Sequence, residues 1–239
     1  MYLTTYTPIM FSRNGFPRDK AGNPYLPGNV IKEALESATI FYYIKKDREI
    51  ENKVKNYLTT EKLRLKEISK KVKEFVFKKH PVLENLNLPE IIYLPEKNIR
   101  EEYIEIFDLK EWIDLKGFKT EVFTGVLEIN ISSPHIEKLK SAAHSYAEAL
   151  AKMELSFLKE HPLSEIFYQP LINNLKKWEV PLRIGMWTEV TFKGDLLFFW
   201  RIKEVRERII KDLGIDIRPR YILYLPRLKQ TTGWSYLEK

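Results

Sequence analysis

The chain has 239 residues, of which 44% are hydrophobic and 31% charged, with a formal net charge of +7 and no cysteine. Such a composition is too apolar for intrinsic disorder, and the missing cysteines exclude disulfides, thiolate catalysis and Cys-based zinc sites. No apolar run reaches the roughly 18 residues of a membrane span, and Met1-Tyr2-Leu3-Thr4-Thr5 does not open a signal peptide, so a cytoplasmic protein without membrane contact is expected.

Tyr2, Thr4 and Tyr6 alternate with Leu3, Thr5 and Thr7, which predicts a first strand closed by Pro8. A loop carrying Arg13, Arg18 and Lys20 follows. Pro24 and Pro27 then hold the backbone extended up to Gly28, and Asn29 stands as the N-cap of a helix reaching about Lys46, with Ile31, Ala34, Leu35, Ala38 and Phe41 as its apolar side. A helix start presents free N–H groups and the positive end of its dipole. Gly28-Asn29, with Lys32 one turn on, therefore reads either as an ordinary strand-to-helix turn or as an anion site.

Between Asp47 and Phe118 the pattern is mostly helical and highly charged, with Leu63, Ile68, Val72, Phe75 and Val76 as its apolar stripe; it reads as an insertion in one domain spanning 1–239. The charge is divided along it. Lys45 to His80 holds 13 Lys plus Arg against 6 Asp plus Glu, whereas Glu84 to Asp114 holds 3 against 9. The basic half suits a nucleic-acid face or a solvated helical surface equally, and the acidic half suits a protein-docking face.

Phe123, Leu127, Ile129 and Ile131 alternate with polar residues and predict a strand, after which Ser133-Pro134 supplies an N-cap and a first-turn proline. A long helix then runs along Ile136, Leu139, Ala143, Tyr146, Leu150, Met153 and Phe157 towards His161-Pro162. A further strand is predicted over 181–193, with Gly185 admitting close backbone approach, then a helix over 195–213 ending at Gly214, and a last strand from Arg220 to Leu225. Strand-helix-strand occurring twice predicts an α+β, ferredoxin-like (RRM-like) fold with a large, mostly helical charged insertion, 47–118, after the first helix. Sheets of that kind bind single-stranded RNA, and Arg183, Arg218, Arg220 and Arg227 supply cations for it. Trp187 and Trp234 read either as core or as base-stacking residues. His80, His135, His144 and His161 show no metal-ligand spacing, so neither a metal nor a cofactor is expected.

The segment from Arg18-Asp19 through Gly22-Asn23-Pro24-Tyr25-Leu26-Pro27-Gly28 to Ile31-Lys32-Glu33-Ala34-Leu35 resembles the signature of the CRISPR-associated RAMP superfamily, in which an extended "G-x-P-Y-I-P-G-S-S-[IL]-K-G-A-[LF]" opens the first helix. Leu182-Arg183-Ile184-Gly185 is similar to the "R-[IL]-G-x-G" strand of those proteins. Thr232-Gly233-Trp234-Ser235-Tyr236-Leu237 is similar to the closing "L-G-W-x-x-L" of the type III-A (Csm) subunit that caps the guide-RNA filament. The resemblance implies a RAMP fold and a non-catalytic crRNA-binding subunit of a type III effector ribonucleoprotein, partnered by single-stranded guide RNA and by other effector subunits. On this reading Arg13, Arg18, Lys20, Gly28, Asn29, Lys32, Arg183, Gly185, Arg218, Arg220 and Arg227 contact guide phosphates.

The chain departs from the family pattern at Asn29, where Ser is usual, at Glu33, where Gly is usual, and at Trp187, where a second glycine is expected. In the backbone subunits that cut target RNA an Asp precedes the Arg-Asp pair, and Arg13 holds that position here, so no metal-dependent cut is expected. Two alternatives stand beside this reading. One is a metal-independent RNA-processing nuclease with His135 as base, next to Ser132 and Ser133. The other is a protein–protein adaptor that docks through 45–114 and touches no RNA.

Overall fold

Two larger antiparallel sheets organise the described residues: one brings together strands from both ends of the chain, the other pairs central strands with C-terminal ones. In the computed structural model, which describes residues 1–185, 202–214 and 221–239, strand β1 (Tyr2–Thr5) is followed by β2 (Tyr25–Pro27) and helix α1 (Asn29–Lys46). Helices α2 (Arg48–Thr60) and α3 (Leu65–Lys79) come next, then β3 (Ile91–Tyr93), β4 (Ile99–Asp108), β5 (Ile113–Asp114), β6 (Phe118–Phe123) and β7 (Val126–Glu128). Helices α4 (Ile136–Phe157) and α5 (Gln169–Leu175), with one π-helical turn between them, lead to β8 (Val180–Arg183). The C-terminal part contributes α6 (Lys203–Leu213), β9 (Tyr221–Leu225), β10 (Gln230–Thr231) and β11 (Trp234–Glu238).

The first sheet has the order β7-β1-β11-β8. Its register aligns Leu3 with Leu127 on one side and Leu237 on the other, and Leu237 with Val180. Because strand side chains alternate, these four point to one face. They are buried there with Ile31 and Leu35 of α1 and Leu139 and Ala143 of α4. Both long helices thus lie where their periodicity put them. On the opposite face Tyr236 stacks on Trp178 at 4.8 Å, which closes part of that surface with rings.

The expected insertion is helical only as far as Lys79. From Ile91 onward it is β-structure: β2 pairs with β3, and β4 pairs with β6, β5 and the C-terminal β9. The strand character of β4 is hidden because Glu102, only 7% exposed, occupies an inward position beside buried Ile104. Arg100 and Arg227 hold its carboxylate at 2.8 and 2.6 Å, so a charge stands where alternation would show an apolar residue.

Three further differences concern connections and ends. Helix α4 joins β7 to β8, the two outer strands of the first sheet, which run antiparallel to one another. Strand β11, which reads as loop in sequence, is inserted between β1 and β8. The strand and helix expected over 181–193 and 195–213 lie outside the described residues for 186–201. Among the described residues no helix is long and apolar enough to cross a membrane.

Asp47 ties the three leading helices together. Its carboxylate caps α2 by accepting from the Glu49 and Ile50 N–H groups, and it pairs with Lys79 at 2.9 Å and His80 at 2.8 Å at the end of α3. The hydrogen bonds from His80 and then Lys79 hold this carboxyl far below the usual carboxylate range. Its contribution to stability is therefore fully present above the ordinary Asp range and is lost as the pH falls from there through the lowered folded-state value.

Candidate nucleic-acid interface

Gly28, not Asn29, occupies the N-cap of α1, and its carbonyl accepts the Ile31 and Lys32 N–H groups. The Gly28 N–H itself donates to the Glu90 carbonyl at 2.8 Å, so it extends the β2–β3 pairing and is not open to a ligand. A methyl group on Gly28 would overlap the Pro89 carbonyl oxygen, which gives the glycine a packing reason. Replacing Gly28 by Ala is expected to cost about 1–3 kcal/mol through that overlap, measurable as a lowered urea midpoint at unchanged m-value.

The free amides are one step further on. Among the described residues, the Asn29 and Val30 N–H groups, in the first turn of α1, have no acceptor. They open on a groove of about 670 Å³ between α1 and α3, lined by Lys32 and Glu33 of α1, Ser69, Lys70 and Lys73 of α3, and the Arg183-Ile184-Gly185 end of β8. Lys73 is held by Glu36 at 2.6 Å, whereas Lys32 and Lys70 are exposed and have no ion pair among the described residues. Amides without an acceptor at a helix N-terminus, beside lysines, are groups that can hold an anion. Four of the residues singled out in sequence, Asn29, Lys32, Arg183 and Gly185, are thus brought to one groove.

Two of these four take other roles than expected. The Arg183 guanidinium turns inward, bonded to the buried Glu154 carboxylate and to the Thr232 carbonyl at 3.4 Å, and lies 5.0 Å over the Trp234 ring. Gly185 has φ +109° and does permit close approach, but the approaching group is the Met10 carbonyl of the same chain. Trp234 is fully buried, with its indole N–H donated to Thr231 Oγ1 at 3.1 Å, so it is core and no base platform. Trp187, Arg218 and Arg220 lie outside the described residues.

The Arg13–Lys20 loop forms a separate surface. Asp19 accepts from the Ala21 and Asn23 N–H groups, both at 2.9 Å, and from the Asn23 side chain, which hold its carboxyl below the usual range and make the Arg18–Asn23 turn self-supporting. Arg18 is bound to Glu121 at 2.7 Å and Glu96 at 3.2 Å, so it braces the turn rather than standing open. Arg13 lies over the Phe118 ring at 4.9 Å, and Lys20 is exposed. Arg227 is exposed but paired with Glu102. His135 stands at the start of α4, where its N–H donates to Ser133 Oγ, and among the described residues its ring has no hydrogen-bond partner.

Sequence reading missed two parts of this region. Lys70 and Lys73 were seen only as members of a charged run, because their nearness to α1 depends on how α3 folds back. Glu154, 0% exposed, was missed although a signal exists: it lies one helical turn after Leu150, on the apolar stripe of α4, where an acid needs a buried partner.

No protein-family model matches the chain. Among solved structures it is similar to a chain of a Csm–crRNA–target RNA ternary complex of a type III-A CRISPR-Cas system, with TM-score 0.63 and 13% identity over 94% of this chain and 75% of that one. It is likewise similar to the crystal structure of T. onnurineus Csm5, with TM-score 0.61 and 11% identity over 94% and 74% of the two chains. The protein therefore has the mixed α/β fold of Csm subunits, as its resemblance to RAMP proteins implied. It belongs to the same family as an uncharacterized protein of Aquifex aeolicus (strain VF5), with which it is 41% identical over 241 residues, covering 100% of this chain and 99% of the relative.

Proposed function

We propose that this protein is a crRNA-binding subunit of a type III CRISPR effector complex and holds guide-RNA phosphates without cutting RNA. The observation that carries this reading is the groove at the start of α1. It sets two amides and the lysines Lys32 and Lys70, without acceptors or ion pairs among the described residues, around one space, on a fold shared with Csm subunits. Within this proposal the ferredoxin-like core keeps its content, a β7-β1-β11-β8 sheet with α1 and α4 on one face and residues 47–118 between α1 and β7, but not its connectivity, because α4 joins two antiparallel strands where a βαβ unit joins parallel ones. The absence of catalysis is part of the proposal. At the position where the RNA-cutting relatives carry an Asp, Arg13 sits on Phe118 and offers no metal ligand.

Amides and lysines neutralise phosphates but do not read bases, so binding should depend strongly on salt and little on sequence. In a filter-binding salt series with single-stranded RNA, Lys32→Ala combined with Lys70→Ala is expected to weaken binding and flatten the slope of log K against log salt by about 1.4, two phosphates at about 0.7 each. Absence of RNA affinity in the wild type, alone and in a reconstituted complex, would sink the reading.

A further inference from the structure

Helix α3 is a wall shared by two grooves. Its Ser69, Lys70 and Lys73 face the α1 groove described above, whereas Lys71 and Phe75 face a second groove of about 630 Å³ closed by α2 and the residues just after it. Tyr57 of α2 meets Phe75 edge to face at 6.1 Å, and both rings are half-buried, so each presents part of its surface to the groove. Asn56 stands beside Tyr57 with a side-chain amide that has no partner among the described residues. Lys53, Lys62 and Lys71 supply positive charge against Glu61 and Glu67. Among the described residues Lys53 and Lys71 are engaged only in exposed pairs with Glu49 and Glu74, of the weak kind that a phosphate can replace, and Lys62 has none.

Aromatic faces, a free amide and lysines are the groups that bind a stacked base and its phosphate. The local excess of 13 basic over 6 acidic residues from Lys45 to His80 favours a polyanion over a protein partner. We propose that the α2–α3 groove is a second binding site for single-stranded RNA, occupied by the nucleotides that leave the α1 groove and cross α3. Lys70 stands on the ridge between the two grooves, and the crossing is one helix diameter, about 10–12 Å. This inference rests on the RNA-binding reading given above, and it assigns to the helical pair α2–α3 the role of lengthening the contacted strand.

The test is fluorescence anisotropy with oligouridines of about 5 and about 15 nucleotides, on the wild type and on Tyr57→Ala combined with Lys62→Ala, with thermal unfolding as a check that the variant folds. The wild type is expected to bind the longer RNA more tightly. The variant should lose about tenfold on the longer RNA and nothing on the shorter, and Tyr57→Phe, which keeps the ring, should restore most of the loss with Lys62 retained. An unchanged gain with length in the variant overturns the second site and leaves the α1 groove standing. Loss of subunit association with both affinities intact also overturns it and makes the groove a protein-docking surface. No affinity of the wild type for either RNA overturns both readings.

Discussion

Replacing Glu154 by Ala is expected to lower the unfolding free energy by about 3–5 kcal/mol, seen as a large fall in the denaturant midpoint. Glu154 is 0% exposed and receives two buried partners: the Arg183 guanidinium on one oxygen and the Tyr168 hydroxyl on the other, at 2.8 Å. Burial, and then the adjacent Glu154 charge, push the Tyr168 hydroxyl well above the ordinary tyrosine range, so it stays protonated and donates. Removing the carboxylate takes the Glu154 charge from a guanidinium with 4% side-chain exposure, which is far more costly than losing one surface pair. The double variant Glu154→Leu with Arg183→Met should cost much less than the sum of the two single changes, because it removes both charges and keeps most of the volume. A loss below about 1 kcal/mol for Glu154→Ala would show that the pair is not the buried link it forms here.

Trp234→Ala should cost a similar amount, about 3–5 kcal/mol, since it empties one of the largest fully buried side chains of the molecule. It also removes the ring under Arg183, 5.0 Å away, and the indole hydrogen bond to Thr231. The two substitutions touch the same cluster, so their effects should not add. Trp234→Phe separates packing from recognition. A fully buried ring at the start of β11 cannot stack on a base, so this variant should keep its RNA affinity within about twofold while losing the indole hydrogen bond, worth about 1 kcal/mol. A fall in affinity without loss of fold would return Trp234 to the binding surface.

Helical elements were the most legible in the sequence, because a 3.6-residue stripe depends only on neighbours along the chain. Helix α1 spans Asn29–Lys46 as its stripe required, and α4 begins within three residues of the Ser133 start signal. Strands were less legible where an inward charge interrupts the alternation, as Glu102 does in β4, or where the run is short and polar, as in β11 with Ser235 and Glu238. The candidate site divides the same way. Asn29 and Lys32 could be placed at a helix start from local spacing alone, but the lysines of α3 reach them only through a fold-back held by Asp47, Lys79 and His80.

What the sequence determined by itself was the positive balance, the absence of thiol chemistry, the two long amphipathic helices and the Asp19–Asn23 turn, each fixed by composition or by contacts a few residues apart. What the tertiary structure decided was which of the marked cations stay free. Arg183, Arg18 and Arg227 look like Lys32 in a list of basic residues, yet Glu154, Glu121 and Glu102 reach them from 29, 103 and 125 residues away along the chain. Charge is a property of the residue, whereas its availability to a phosphate depends on the counter-charge that folding brings within hydrogen-bond distance.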